Sequence, residues 1–253
     1  MSVASKPRQI NQENFARYEF KYLLTPDQRD FLEQEVGNFM RYDGHVHKEF
    51  GQRYFVRSLY FDDADSTAFY EKIDGVKNRR KFRIRTYANV FSDDTPIFFE
   101  EKGRRNERTF KRRVPITLSD VDLICTPEKI FELHEKYSNV PLISDFVYAV
   151  VQQRLKPVVV VDYLRKPFVS DFDMNFRLTF DGNLNTAPIS NLLSRQMPDL
   201  LSCVPGMTIL EVKFNRRIPA WFHRILQFNN MRRLSISKFC VGMKVSGIAE
   251  DLS

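Results

Sequence analysis

Residues Lys81 to Tyr87 read Lys-Phe-Arg-Ile-Arg-Thr-Tyr, a run in which charged and apolar side chains alternate. Side chains on a strand point to opposite faces with a period of two, so Arg83 and Arg85 share one face while Phe82, Ile84 and Thr86 take the other. Two neighbouring guanidiniums repel each other. A strand that holds them together on an apolar backing presents fixed positive charge to an anion or to facing carboxylates. The habit recurs: Glu19 and Lys21 alternate with Phe20 and Tyr22, Glu100 and Lys102 lie two apart in Ile97–Lys102, and Glu211 and Lys213 alternate with Leu210, Val212 and Phe214. In Thr109–Val114 the pattern allows Lys111 and Arg113 together on the charged face, or Arg112 alone.

Such strands need cover on their apolar side. The chain supplies it, with 253 residues, 43% hydrophobic residues, 23 Phe and 10 Tyr, enough for a sizeable core in a single domain spanning 1–253 with residues 1–12 as a loose leader. The net charge of +7 implies an anionic partner: nucleic acid, a phosphate compound or an acidic membrane surface. Cys125, Cys203 and Cys240 are odd in number and lack metal-ligand spacing, as in a reducing compartment. No apolar stretch approaches membrane-spanning length and the polar N-terminus lacks a signal-peptide core, so a cytoplasmic protein is expected.

In order, the sequence predicts a strand at 15–24, a helix from Thr25-Pro26 to about Val36, a strand at 53–62 and a short helix at 66–73. Strands at 78–88, 96–102 and 108–115 follow, joined as hairpins. A helical region from Thr117 breaks at Thr126-Pro127 and resumes to Tyr137, and a further helix covers 142–154. Next come strands at 157–167 and 174–181, the latter closed by Asp181-Gly182, then a polar loop and a short segment at 190–201. The Glu211 strand, a helix at 219–231 and a last strand or turn near 235–241 complete the chain. Roughly eight strands, several antiparallel by loop length, with interspersed helices predict an α+β fold whose sheet curls or closes, its charged faces turned inward to line a basic tunnel.

The segments Arg17–Tyr22, Ser58–Asp62, Arg83–Arg85, Phe99–Lys102, Leu210–Lys213 and Ser237–Phe239, in this order, resemble the VTC domain. That is the polyphosphate polymerase domain of the vacuolar transporter chaperone complex, in the CYTH or triphosphate tunnel metalloenzyme superfamily. The resemblance implies an antiparallel β-barrel tunnel of about eight strands with surrounding helices, whose inner wall binds triphosphate or polyphosphate through Lys21, Arg83, Arg85, Lys102, Lys111, Arg113, Arg165, Arg177, Lys213 and Lys238. Among these, Arg83, Arg85 and Lys102, with Glu211, would carry the chemistry. Glu211 would hold Mn²⁺ or Mg²⁺, with Glu100 or Glu19 as further carboxylate ligands. The family's eukaryotic members add a lysine-rich SPX module before the barrel and membrane spans after it. This chain shows neither, so coupling to inositol-phosphate sensing is not expected.

The implied reaction is transfer of the γ-phosphoryl group of ATP to a growing inorganic polyphosphate chain, the fixed cations spreading the charge of the transition state. Two other readings share the residues: a triphosphatase or polyphosphatase, and a non-catalytic polyanion-binding module. The cluster Arg104-Arg105-Asn106-Glu107-Arg108 fits a tunnel mouth better than a nucleic-acid groove, because no sequence-specific nucleic-acid motif accompanies it. His45 and His47 alternate, but without accompanying carboxylates or cysteines they read as a solvated loop.

Overall fold

The computed structural model describes residues 18–44, 46–47, 50–88, 91–106, 108–188 and 200–251. Within them β1 (Tyr18–Leu24), β3 (Tyr54–Asp62), β4 (Asn78–Thr86), β5 (Ile97–Arg105), β6 (Arg108–Ile116), β7 (Lys156–Ser170), β8 (Arg177–Ala187) and β10 (Thr208–Phe214) form the main sheet. Its order is β1-β10-β8-β7-β3-β4-β5-β6, every pairing antiparallel. The short β2 (Met40–Tyr42) adds to β7, and β9 (Leu201–Ser202) to β8. The helices are α1 (Pro26–Gly37), α2 (Thr67–Ile73), α3 (Leu118–Cys125), α4 (Ile130–Lys136), α5 (Pro141–Gln153), α6 (Ala220–Phe228) and α7 (Lys238–Val245).

The alternation sorts each strand's side chains between two faces. On one face, Phe61, Phe82, Ile84, Phe99 and Val114 pack beneath α3, α4 and α5, with Phe146 at the centre of an aromatic cluster. On the same side of the other half, Tyr22, Phe180, Leu210 and Val212 pack beneath α1 and α6 through Leu32, Val36, Phe222 and Leu226. Thr25 caps α1, its hydroxyl accepting from Gln28 N while the Gln28 side chain accepts from Thr25 N, and Pro26 sets the first turn. The opposite face carries the charges. Lys102 on β5 reaches Glu19 on β1 at 3.1 Å although many strands separate the two in the sheet order. The sheet therefore curls, with its charged face concave.

One part of that concave face is apolar. Val56, Tyr60, Val159, Val161, Tyr163 and Ile209 pack against Phe239, Cys240 and Met243 of α7, which occupies the interior. Gly242 permits the approach: a Cβ there would lie 2.9 Å from Val161 Cγ2 and 3.0 Å from Thr186 Oγ1.

Several expectations need correction. Residues 235–241 do not form a strand or turn: Ser237 caps α7, its hydroxyl accepting from Cys240 N at 3.4 Å. This helix is buried around much of its girth, so it lacks the polar stripe by which a surface helix is recognised. β8 does not stop at Asp181-Gly182 but runs on to Ala187, because the buried Asp181 carboxylate is held by cations and not spent on a turn. The 219–231 helix is shorter, Ala220–Phe228. The 1–12 leader, His45 and residues 190–199 of the 190–201 segment lie outside the described residues.

Candidate functional site

Register builds one half of the site. Lys21 on β1, Glu211 on β10 and Thr179 on β8 stand side by side across three strands, and Arg165 on β7 faces Asp181 on β8. The Arg165 guanidinium donates to both Asp181 oxygens at 2.7 Å and to Glu211 Oε2 at 3.1 Å. Lys238, the first residue of α7, places Nζ 2.6 Å from Asp181 Oδ2 and 2.7 Å from Glu211 Oε1. Lys213 and Lys21 approach Glu211 at 3.2 and 3.6 Å. Burial alone would raise the Glu211 carboxyl, but Lys238, Lys213, Lys21 and Arg165 outweigh it and hold the group well below the usual carboxylate range.

The other half is built on Glu100, fully buried on β5 between Arg83 of β4 and Arg113 of β6. Arg83 donates Nε and Nη2 to Glu100 Oε2 at 2.8 and 2.6 Å and Nη1 to the Tyr60 hydroxyl at 3.1 Å. Arg85 donates to Ser58 Oγ at 3.0 Å and to the Tyr163 hydroxyl at 3.3 Å. Lys111 Nζ lies 2.7 Å and Arg113 Nε 3.4 Å from Glu100 Oε1, and Arg113 stacks 3.3 Å over Phe98. Glu100 is thus held well below its ordinary value, the cost of burial outweighed by Arg83, Arg85 and Lys111. Burial pushes Lys111 the other way, down to about 7, with Arg83 and Arg85 adding to the push against Glu100.

Lys102 and Glu19 join the halves, and Glu19 also meets Lys21 at 3.2 Å. Cations outnumber the carboxylates Glu19, Glu100, Asp181 and Glu211 on this face, so the ion pairs leave a positive surplus. Arg113 Nε faces Glu100 Oε1 at 3.4 Å without hydrogen-bond alignment, and the buried Thr179 hydroxyl has no hydrogen-bond partner among the described residues. An arrangement of forked donors and point charges on rigid strands can hold a chain of phosphates.

Of the residues expected here, Lys21, Arg83, Arg85, Lys102, Lys111, Arg113, Arg165, Lys213, Lys238, Glu19, Glu100 and Glu211 come together on the concave face. The open alternative at 111–113 resolves to Lys111 and Arg113 inward. Arg112 lies on the convex side, paired with Glu101 at 2.5 Å and Asp145 of α5 at 2.6 Å. Arg177 shares the inward parity at the rim of β8, opposite Lys213, and donates Nε to Met174 O. Arg104 bonds the Asn106 carbonyl and Arg105 stands over Phe110, outside both clusters. Sequence reasoning missed Asp181, Tyr60 and Tyr163. The alternation Arg177, Thr179, Asp181 against Leu178 and Phe180 was the signal that could have found the first.

The three carboxylates expected to bind metal do not converge. Among the described residues no group of three His, Cys, Asp or Glu side chains could enclose an ion. Glu19 and Glu211 do flank one point, the position of Lys21 Nζ, while Glu100 belongs to the other half. Two carboxylates completed by phosphate oxygens and water suit Mg²⁺ or Mn²⁺, so the donor set fits a substrate-bridged ion and not a protein-enclosed one.

The profile of the VTC domain matches residues 16–246. Among solved structures, the fold resembles a candidate adenylyl cyclase from Hippeastrum described as having a dominant triphosphatase activity, with TM-score 0.54 and 14% identity over 92% of this chain and 96% of that one. A candidate adenylate cyclase from Bacillus halodurans matches at TM-score 0.45 and 12% identity, covering 94% and 93%. The mimivirus capping enzyme triphosphatase matches at TM-score 0.33 and 12% identity, covering 87% and 89%.

Proposed function

The chain belongs to the VTC domain family, and on that premise we propose that it is a polyphosphate polymerase, passing the γ-phosphoryl group of ATP to the end of an inorganic polyphosphate chain. The observation that carries the reading is the concave face, where Arg83, Arg85, Lys111 and Arg113 surround one carboxylate and Lys21, Arg165, Lys213 and Lys238 surround another. An incoming phosphate chain exchanges these internal ion pairs for phosphate oxygens without the protein having to gather its cations. Arg83 and Arg85 are fixed by Glu100, Tyr60, Ser58 and Tyr163, so their donors meet the transferring group at little reorganisation cost. Glu211 and Glu19 would hold Mn²⁺ or Mg²⁺, which when bound neutralises charge on the non-bridging oxygens. Residues 1–253 act as one tunnel domain in this reading, and the three unpaired cysteines support a cytoplasmic setting.

The carboxylates favour transfer over hydrolysis. Glu19, Glu100, Asp181 and Glu211 are all held below their ordinary range by neighbouring cations, which makes them poor bases toward water. A terminal phosphate is already anionic and needs no base. The competing reading, a triphosphatase, draws on Lys111: an amine near neutrality at pH 7 can accept a proton from water. Purified protein incubated with ATP and Mn²⁺ or Mg²⁺ separates them. Long polymer with matching ADP is expected; orthophosphate without polymer would replace the polymerase with the hydrolase.

A further inference from the structure

Tyr60 lies where the phosphate site meets the interior helix. Its ring packs 5.2 Å from that of Phe239, the second residue of α7, and its hydroxyl accepts from Arg83 Nη1 at 3.1 Å. The other edge of the same guanidinium is fixed by Glu100. Arg83 is therefore gripped from both sides, by a carboxylate on β5 and a phenol on β3. Lys238 opens the same helix and binds Asp181 and Glu211, so a shift of α7 would act on both halves of the site, directly through Lys238 and through Tyr60 on Arg83. Phenylalanine would satisfy the packing alone. The hydroxyl has a separate task.

We propose that Tyr60 is a positioning residue for phosphate binding: its hydroxyl holds Arg83 toward the anion, and its ring ties that orientation to the seating of α7. The inference rests on the phosphate-binding reading given above. The groups facing the hydroxyl are Arg83, Arg85 and Lys81 of β4 and Lys238 of α7, with Glu100 behind Arg83, Tyr163 on β7 beyond Arg85, and the Cys240 thiol 3.5 Å from Lys81 Nζ. Burial would raise the phenol, but these cations outweigh it and bring it down to about 8, against an ordinary 10. A bound polyanion opposes ionisation of its neighbour, so bound phosphate drives this titration upward.

The test uses the whole chain, with tripolyphosphate as probe. Tyr60→Phe, checked for an unchanged circular dichroism spectrum, is expected to weaken tripolyphosphate binding at pH 7 by about tenfold, the loss typical of a hydrogen bond to a charged group. Tyrosinate absorbance near 295 nm should show one phenol titrating near pH 8 in the wild type, absent from the variant and moved to higher pH by tripolyphosphate. Unchanged affinity in the variant overturns the proposal. If the variant does not fold, a wild-type titration indifferent to tripolyphosphate overturns it as well. Absence of any tripolyphosphate binding by the wild type would instead reject the phosphate site itself.

Discussion

Glu211 answers four cations with two oxygens, and most of the site's balance passes through it. Glu211→Gln leaves Arg165 and Lys238 to Asp181 but strips Lys21 and Lys213 of their shared counter-charge. The expected loss is about 3 kcal/mol of stability, at the low end for a broken buried pair, or a fall in Tm on the order of 10 °C. Calorimetry with tripolyphosphate present should recover much of that fall, because bound phosphate replaces the missing charge, while kcat stays about 100-fold down or lower. Lys111 gives a pH dependence of opposite signs. Its folded value, about 7, lies below its unfolded one, so the unfolded chain binds more protons between pH 7 and 10.5 and Lys111 makes stability rise with pH in that window. Its side chain is two-fifths exposed, so water screens part of the effect. Affinity for tripolyphosphate should fall over the same range as the ammonium is lost. In Lys111→Arg the part of the fall that begins near pH 7 should disappear, leaving the part that sets in near pH 8 as Tyr60 ionises; an unchanged onset near pH 7 would show that a group other than Lys111 titrates there. Arg83, Arg85, Lys21 and Glu211 were legible because alternation with apolar residues exposes them. Asp181 was hidden by the turn signal of Asp-Gly, and Tyr60 and Tyr163 by aromatic rings that read as core.

At the scale of elements, α7 has the most to lose. Gly242→Val sets branched carbon against Val161 and Thr186, where a single Cβ already comes within 3.0 Å. Overpacking of this kind costs about 1–3 kcal/mol. If α7 withdraws, Lys238 leaves Asp181 and Glu211. The variant should therefore lose tripolyphosphate affinity as well as thermal stability, whereas an equally destabilising change on the buried face of α5, such as Val147→Ala, should lose stability alone. Equal affinities in the two variants would separate α7 from the site. Most of the longer strands were readable to within a few residues because each buries one face, β8 being the exception at its far end. α7 was not, since a helix enclosed by a barrel shows no amphipathic period, and its lone N-terminal serine lies in a run otherwise suited to a strand. β2 and β9 are too short to establish a period of two.

For the whole molecule, the surplus of cations over carboxylates on one concave surface predicts strong screening. Tripolyphosphate affinity should drop about tenfold or more between 50 and 500 mM salt, as fixed charges lose their reach. A flat salt response, measured calorimetrically, would mean that uncharged contacts dominate. Fold class followed from sequence alone, since repeated alternation in one sense requires the charged faces to converge or be wasted on solvent. How the sheet would end could not be read, because edge pairing depends on the accumulated twist of all the strands and no single segment encodes it. Among the described residues β1 and β6 share no ladder. Lys102 of β5, the stave next to β6, clasps Glu19 of β1 across the concave face. Widening the cask for a bulkier guest would therefore exchange one ammonium–carboxylate contact for an ammonium–phosphate one, with no β1–β6 ladder to break.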